Sequence, residues 1–333
     1  MSMLRSMDSA IGGMKAQQTK LDVVANNIAN VGTTAFKAST VNFSDTLYQT
    51  STNATAPTLN TGGTNAKSVG LGSKVSSINK LMTTGNALTT GRTLDTCIDG
   101  NGYLIASKGT TSGSIAVDTA NAEGATANIS DTVYTRDGNL SLDKDGNLLT
   151  SNGYRVMGFR ATAATTTDTN GVLSVPTRVD PDAGAVAYDT SLMPLVIPDQ
   201  IGTGTSAKAV TAFSIGDDGV VTATTSDGRC VLGQIAMANF KNPEGLEDSG
   251  GNMQKVSGNS GSAVVRSSAV VASGGTDNSS AFGSLKSGYL ESSNVDLTAQ
   301  FTDMISATRS FQAASKMISN GDELLQTITG LIR

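Results

Sequence analysis

The chain of 333 residues contains no histidine and no tryptophan, and aromatic residues make up only 4% of it. The missing histidine removes the commonest general base and the commonest metal ligand together. Basic residues are few and scattered, and the net charge is -5, which argues against nucleic acid as a partner, because phosphate binding needs a basic patch. No run approaches the ~18 apolar residues of a membrane span, so no membrane insertion is expected. The N-terminus, MSMLRSMDSAIGGMKAQQTK, lacks a continuous apolar core with a small-residue cleavage site, so it carries no mark of classical secretion. The two cysteines, Cys97 and Cys230, are far apart and lack metal or redox spacing. They read as small buried residues, with a cross-link between subunits as the sharper alternative. What is abundant is small: 37 glycines and long stretches of Ser, Thr, Ala and Asn. Such a chain buries little apolar surface per residue, and modest stability is expected of a monomer.

Heptads stand at both ends. From Leu4, positions seven apart are Leu4, Ile11, Gln18 and Ala25, and three residues later come Met7, Met14, Leu21 and Ile28. The spacing predicts a helix over about residues 3–30, roughly 40 Å long, with Gly32 as its stop. At the other end Leu297, Met304, Phe311, Ile318, Leu325 and Ile332 repeat every seven residues, with Ala307, Ala314, Gly321 and Ile328 as their d partners. Thr302, Arg309, Lys316 and Glu323 line the polar face, and Asn294 or Asp296 can cap the start. Each seam is narrow and has no local partner. The two helices are expected to pair, either on a common core or as a coiled coil strengthened by neighbouring subunits. The amides of Asn26, Asn27 and Asn30 fall off the predicted seam, where they would be solvated in a monomer or face another subunit in an assembly.

Between the helices the pattern becomes strands and tight turns. YTRDGNLSLDKDGNLLTSNGYRVMGF (134–159) carries Asp137-Gly138, Asp145-Gly146 and Asn152-Gly153, three dipeptides that favour hairpin turns. IDGNGYLI (98–105) and FSIGDDGVVT (213–222) repeat the style, and VLGQIAMANF (231–240) reads as a buried strand. An antiparallel sheet or small barrel is expected. Tracts 50–66, 109–131 and 160–190 are poor in apolar residues and read as a linker and two loops or insertions.

No motif carries chemistry. DKDGN (143–147) misplaces its glycine for a calcium loop and has no closing glutamate. Gly70-Leu-Gly72 and Gly100-Asn-Gly102 lack the rest of a phosphate fingerprint, and no nucleophile motif is present. No catalytic residue, cofactor or metal site is expected.

Several stretches together resemble the axial proteins of the bacterial flagellum, and within them the hook proteins. They are LDVVANNIANVGTTAFK (21–37), LDTCIDGNGYLI (94–105), residues 134–159, LGQIAMANFKNPEGLEDSGGN (232–252) and GYLESSNVDLTAQFTDMISATRSFQAASKMI (288–318). In the last, Ala307-Thr308-Arg309 departs from the more usual Ala-Gln-Arg-like run. The resemblance covers well over half the chain in order. It implies an α+β fold whose terminal helices (1–32 and 294–333) pair as a coiled coil. The remainder would comprise an extended connection over 33–90, a β-rich middle domain over 91–160 and 211–293, and a small insertion over 161–210. It implies a structural subunit of the hook, polymerising with itself into a helical tube that couples rod to filament. The partners implied are a rod protein proximally, the hook–filament junction protein distally, the hook cap and the export apparatus. The location implied is the hook or basal body outside the cell, or the periplasm for a spirochaete-type flagellum, reached without a cleaved signal peptide. A distal rod subunit shares this architecture; the insertions at 109–131 and 160–210 favour the hook.

Overall fold

The structure, a computed structural model, describes residues 2–58, 62–109, 115–118, 123–124, 131–161, 166–167, 173–174, 186, 188–189, 191–202, 207–266 and 279–331. Its C-terminal helix, α2 (Leu297–Leu331), begins where the Asp296 carboxylate accepts hydrogen bonds from the backbone N–H groups of Thr298 (2.9 Å) and Ala299 (3.2 Å). Its 35 residues include several poor helix formers. Thr302, Thr308, Ser319, Thr327 and Thr329 donate their hydroxyls to carbonyls three or four residues back, which satisfies the hydroxyls without strengthening the helix. The N-terminal helix, α1 (Ser2–Ala29), ends in an amide cap: the Asn30 side chain donates to the Asn26 carbonyl at 3.0 Å. Gly32 follows as expected but does not take the left-handed conformation of a helix stop; that conformation falls on Ala35 (φ 55°) instead.

The chain divides into two units: Met1–Gly32, Lys37–Leu81 and Val295–Arg333 form the first, and Thr33–Phe36 with Met82–Asn294 form the second. In the first unit α1 and α2 pack along one another, and α1 also packs on a ladder of β1 (Ser39–Asp45) with β4 (Ser73–Lys80). The intervening chain returns as an antiparallel pair, β2 (Tyr48–Thr52) with β3 (Lys67–Gly70), every residue of which is exposed. Residues 37–81 are therefore built into the helical unit, and the expectation of an extended connection over 33–90 gives way. The tract is low in apolar residues because its ladders are narrow and mostly solvated, which sequence reads as linker.

The second unit is antiparallel throughout. Its hub is the strand Arg155–Arg160, which pairs with Tyr103–Ser107, Ser191–Pro194, Gly228–Ile235 and the end of Leu148–Thr150. Side chains alternate between two cores, as a period of two demands. Leu104 and Val156 enter one core with Leu140, Leu148 and Ile235; Tyr103, Ile105, Met157 and Phe159 enter the other with Phe240. Asn152-Gly153 and Asp145-Gly146 make the two hairpins expected of them. Asp137-Gly138 does not. Gly138 is there because a Cβ would lie 1.6 Å from the Thr96 carbonyl, whose own N–H bonds the Gly138 oxygen. Residues 191–202, expected within an insertion, supply strands to the main sheet; most of the rest of 161–190 and of 109–131 lies outside the described residues.

A buried ion pair ties this unit together. Arg136 Nε meets Glu291 Oε2 at 2.9 Å, with side-chain exposures of 7% and 0%. The guanidinium also donates to the carbonyls of Gly102 (2.9 Å), Gly100 (3.0 Å) and Ile98 (3.2 Å). Gly100 (φ 115°) and Gly102 (φ 141°) take backbone conformations that turn these carbonyls inward, which explains the IDGNG run. Glu291 Oε1 further accepts the Gly85 N–H at 2.9 Å, and the Glu291 carbonyl accepts that of Ala35 at 2.8 Å. Both charges are thus surrounded by partners, the condition for tolerating ions in a dry interior. Cys97 and Cys230 are buried and not joined in a disulfide, and burial together with the nearby Glu291 carboxylate pushes the Cys97 thiol pKa up. Neither thiol faces outward, as a cross-link between subunits would need.

Three outcomes are expected. Glu291→Ala, which strands the guanidinium, should cost the second unit about 3–5 kcal/mol in denaturant unfolding. Arg136→Met combined with Glu291→Leu should cost much less, because no buried charge is left over. Native protein treated with a maleimide should stay unlabelled at both cysteines and take up label only on denaturation.

Candidate assembly interface

The sequence-marked seam residues meet in the first unit, where the helices run antiparallel. Met7 lies against Gly321, where a Cβ would come within 3.2 Å of its side chain, and Asn27 reaches Gln300. On α2 the expected heptad is kept in part: Met304, Ala307, Ala314, Ile318 and Gly321 are at least half-buried, whereas Phe311, Leu325 and Ile328 are exposed. Small residues at Ala307, Ala314 and Gly321 let the backbones approach. Leu297 is exposed at the start of the helix.

On α1 only half of the expected seam holds. Met7, Met14, Leu21 and Ile28 are partly buried, but Ile11 is 38% exposed and Gln18 and Ala25 face solvent. The fully buried positions are Ala16, Val24 and Asn27. The reason is that α1 has two partners. The β1–β4 ladder covers a second side of the helix, so its buried stripe is rotated away from the Leu4–Ile11 line. The side chain of Leu4 and the whole of Ile332 lie outside the described residues.

The asparagine cluster splits. Asn26 is exposed, and Asn30 is spent on the helix end. Asn27, expected off the seam and in contact with a neighbouring subunit, is instead 0% exposed inside its own chain. Its amide nitrogen donates to the Ser39 carbonyl (2.8 Å) and to Gln300 Oε1 (3.0 Å), while its oxygen accepts the Ser39 N–H (3.0 Å). Both donor hydrogens and the acceptor are used within the chain, because β1 folds back over this side of α1. Gln300, seven residues before Ala307 on the d line of α2, and the ion pair Lys20–Asp303 (2.7 Å) also join the helices; Lys20 and Asp303 lie on neither seam line, so periodicity could not reveal that pair.

What α2 leaves uncovered is extensive. Of its 35 residues only Ala307 is fully buried. Phe301 and Ile305 are exposed on one flank of the α1-facing line near the start. Met317, Leu324 and Leu331, spaced by seven, are exposed on the other flank near the end, Leu331 by 81%. A large apolar side chain kept in water forgoes about 1.5–3 kcal/mol relative to burial. No helix among the described residues is long and apolar enough to cross a membrane. Leu324→Ser and Leu331→Ser should leave monomer stability within about 0.5 kcal/mol of the parent by thermal unfolding. Ala307→Leu should undock α2 by overpacking, at a cost of about 1–3 kcal/mol.

Comparison with known proteins gives this surface its setting. Three domain families match in order: "Flagella basal body rod protein" over residues 7–37, "Flagellar hook protein FlgE/F/G D1 domain" over 97–223, and "Flagellar basal body rod FlgEFG protein C-terminal" over 286–331. The flagellar basal-body rod protein FlgG of Bacillus subtilis is 38% identical over 332 residues, covering 99% of this chain and 100% of its own. FlgG of Agrobacterium fabrum is 30% identical, covering 98% of each chain. The flagellar hook protein FlgE of Treponema pallidum is 29% identical in an alignment of 472 positions, covering 99% of this chain and 100% of its own. The solved structure of Helicobacter pylori flagellar hook protein FlgE2 overlaps 62% of this chain and 100% of its own at a TM-score of 0.41 and 9% identity, too loose to argue from. With helices at both ends, an antiparallel β-rich body between them and end-to-end similarity to rod proteins, the chain belongs to the rod and hook family of flagellar axial proteins, a family of structural components rather than enzymes.

Proposed function

We propose that this chain is a rod subunit of the flagellar basal body, polymerising with itself through its terminal helices into a stiff drive shaft. The observation that carries the reading is length. The FlgG relative at 38% identity aligns over 332 positions, whereas the hook relatives need 472 and 453 to span the same chain. The hook was the expectation from sequence, on the strength of two insertions. Those insertions are short beside the extra length of the hook relatives, so they weigh less than end-to-end agreement with rod proteins.

The proposed mechanism is mechanical. Copies join head-to-tail in an open helical array. The α1–α2 pair acts as a coiled coil in the inner layer, and the apolar flanks of α2 are covered by the helices of neighbouring copies. Outward Asn26 lies where a neighbour can use its amide. An isolated two-stranded hairpin is marginal in water, and the exposed β2–β3 pair gains its support from adjoining subunits. A weakly seamed monomer suits export as an unfolded chain, with polymerisation adding stability afterwards. Proximal rod proteins and the hook would be its neighbours along the axis. Under the hook reading, which rests on the 29% identity to a hook protein, the distal neighbour is instead the junction protein.

Electron microscopy of basal bodies from a strain lacking the gene separates the two. Rods truncated before their distal end are the expected result. Complete rods that lack only the hook would transfer the protein to the hook.

A further inference from the structure

Asn27 does more than fill space at the end of α1. Ser39, the first residue of β1, pairs with Lys80 of β4 on one side, and the Leu81 N–H closes that ladder on the Ala38 carbonyl at 2.8 Å. The backbone N–H and C=O of Ser39 are both taken by the Asn27 amide, at 3.0 and 2.8 Å. The side chain therefore stands where one residue of a further strand would, closing the open edge of β1. Its second amide hydrogen goes to Gln300 Oε1 (3.0 Å), in the first turn of α2. One fully buried side chain thus joins three segments that are remote in sequence: the last turn of α1, the start of β1 and the start of α2.

The consequence follows from how little else fixes α2. Its apolar seam has one fully buried residue, so the polar contacts at its start carry a large share of its docking. If β1 is unpaired, Ser39 is not presented, and Asn27 is left buried with unmet donors and acceptor, which is costly. If α2 is undocked, the same amide opens to water and its bonds to Ser39 compete with solvent. We propose that Asn27 is a latch that makes docking of α2 and pairing of the first residues of β1 a single cooperative event, so that the two chain ends close together or not at all. The latch is internal to one chain and holds equally for a rod or a hook subunit.

The test uses the full-length chain and amide hydrogen exchange. In Asn27→Ala the amides of Ser39–Asp45 and of the first turns of α2 should both lose protection by at least about tenfold, while those of the second unit keep theirs. Loss in α2 alone, with β1 unchanged, would overturn the latch, as would no loss in either. Asn27→Asp adds a signature that simple loss of packing cannot mimic. An ionised carboxylate cannot donate to the Ser39 carbonyl, but a protonated one both donates and accepts, restoring the pair of bonds to Ser39, and the Gln300 amide, turned over, donates to its carbonyl oxygen in place of accepting. Burial raises a carboxyl above its ordinary value, so the acid form is the one favoured when the site is closed. Exchange corrected for intrinsic rates should thus be fast at both segments at pH 7 and slow again, at both together, as pH falls through the raised carboxyl range. The parent protein should show no such recovery. Restoration at one segment only, or at neither, counts against the proposal.

Discussion

Everything in the first unit follows from one constraint: a helix of 35 residues with a seam wide enough to bury a single alanine. A long helix draws its stability in water chiefly from an amphipathic face packed on something else. Here the face is narrow, and glycine and alanine occupy the positions that would otherwise supply buried area. Close approach is gained where Met7 meets Gly321, but little apolar surface is removed from water. Polar contacts fill the gap: an aspartate cap at the start, an ion pair at Lys20 and Asp303, and the Asn27 amide. The large apolar side chains lie on the flanks instead, exposed among the described residues, where the proposed assembly would cover them.

The second unit is solved differently. It has two apolar cores on the faces of a hub strand, and a buried guanidinium–carboxylate pair that gathers Gly85, the 98–102 turn, Arg136 and Glu291 at one point. Arg136 has five donors, and each of its nitrogens has an acceptor, so the charge is carried without an exposed route to water. The same Glu291 holds, through its backbone carbonyl, the residue that takes the left-handed conformation after α1. Strain at Ala35 is thus held by a segment that is itself fastened at its carboxylate. A body so tied keeps its form while its partners do work on it, which suits a shaft or a coupling.

How far the sequence reveals this depends on which force sets each feature. The small-residue line of α2, Ala307, Ala314 and Gly321, was legible, because seven-residue spacing follows from a single partner helix, while Leu297, Phe311 and Leu325 of the apolar line stay exposed. The α1 seam was half legible, because a second partner rotates the buried stripe and Ile11 falls outside it. Asn27 was misread for the same reason: nothing local shows that residues 39–45 fold back to consume its amide. The 37–81 ladders were hidden by composition, since narrow solvated strands look like linker. Arg136 and Glu291 stand at the ends of strands in ordinary polar company, and only the fold makes them partners across 155 positions. The one advance signal was the doubled glycine around Asn101, which marked an unusual backbone there without saying what the carbonyls would bind. Family resemblance supplied what periodicity could not, the order and meaning of the segments. It did not by itself separate shaft from coupling.

The central claim is that the helix pair of one copy is completed by other copies. Hydrogen exchange across Met317–Leu331, compared between purified monomer and isolated basal bodies, tests it most directly. Fast exchange in the monomer and strong protection in the assembled structure is the result expected of apolar flanks covered by neighbours. Equal protection in both states, or fast exchange that persists after assembly, would contradict the account.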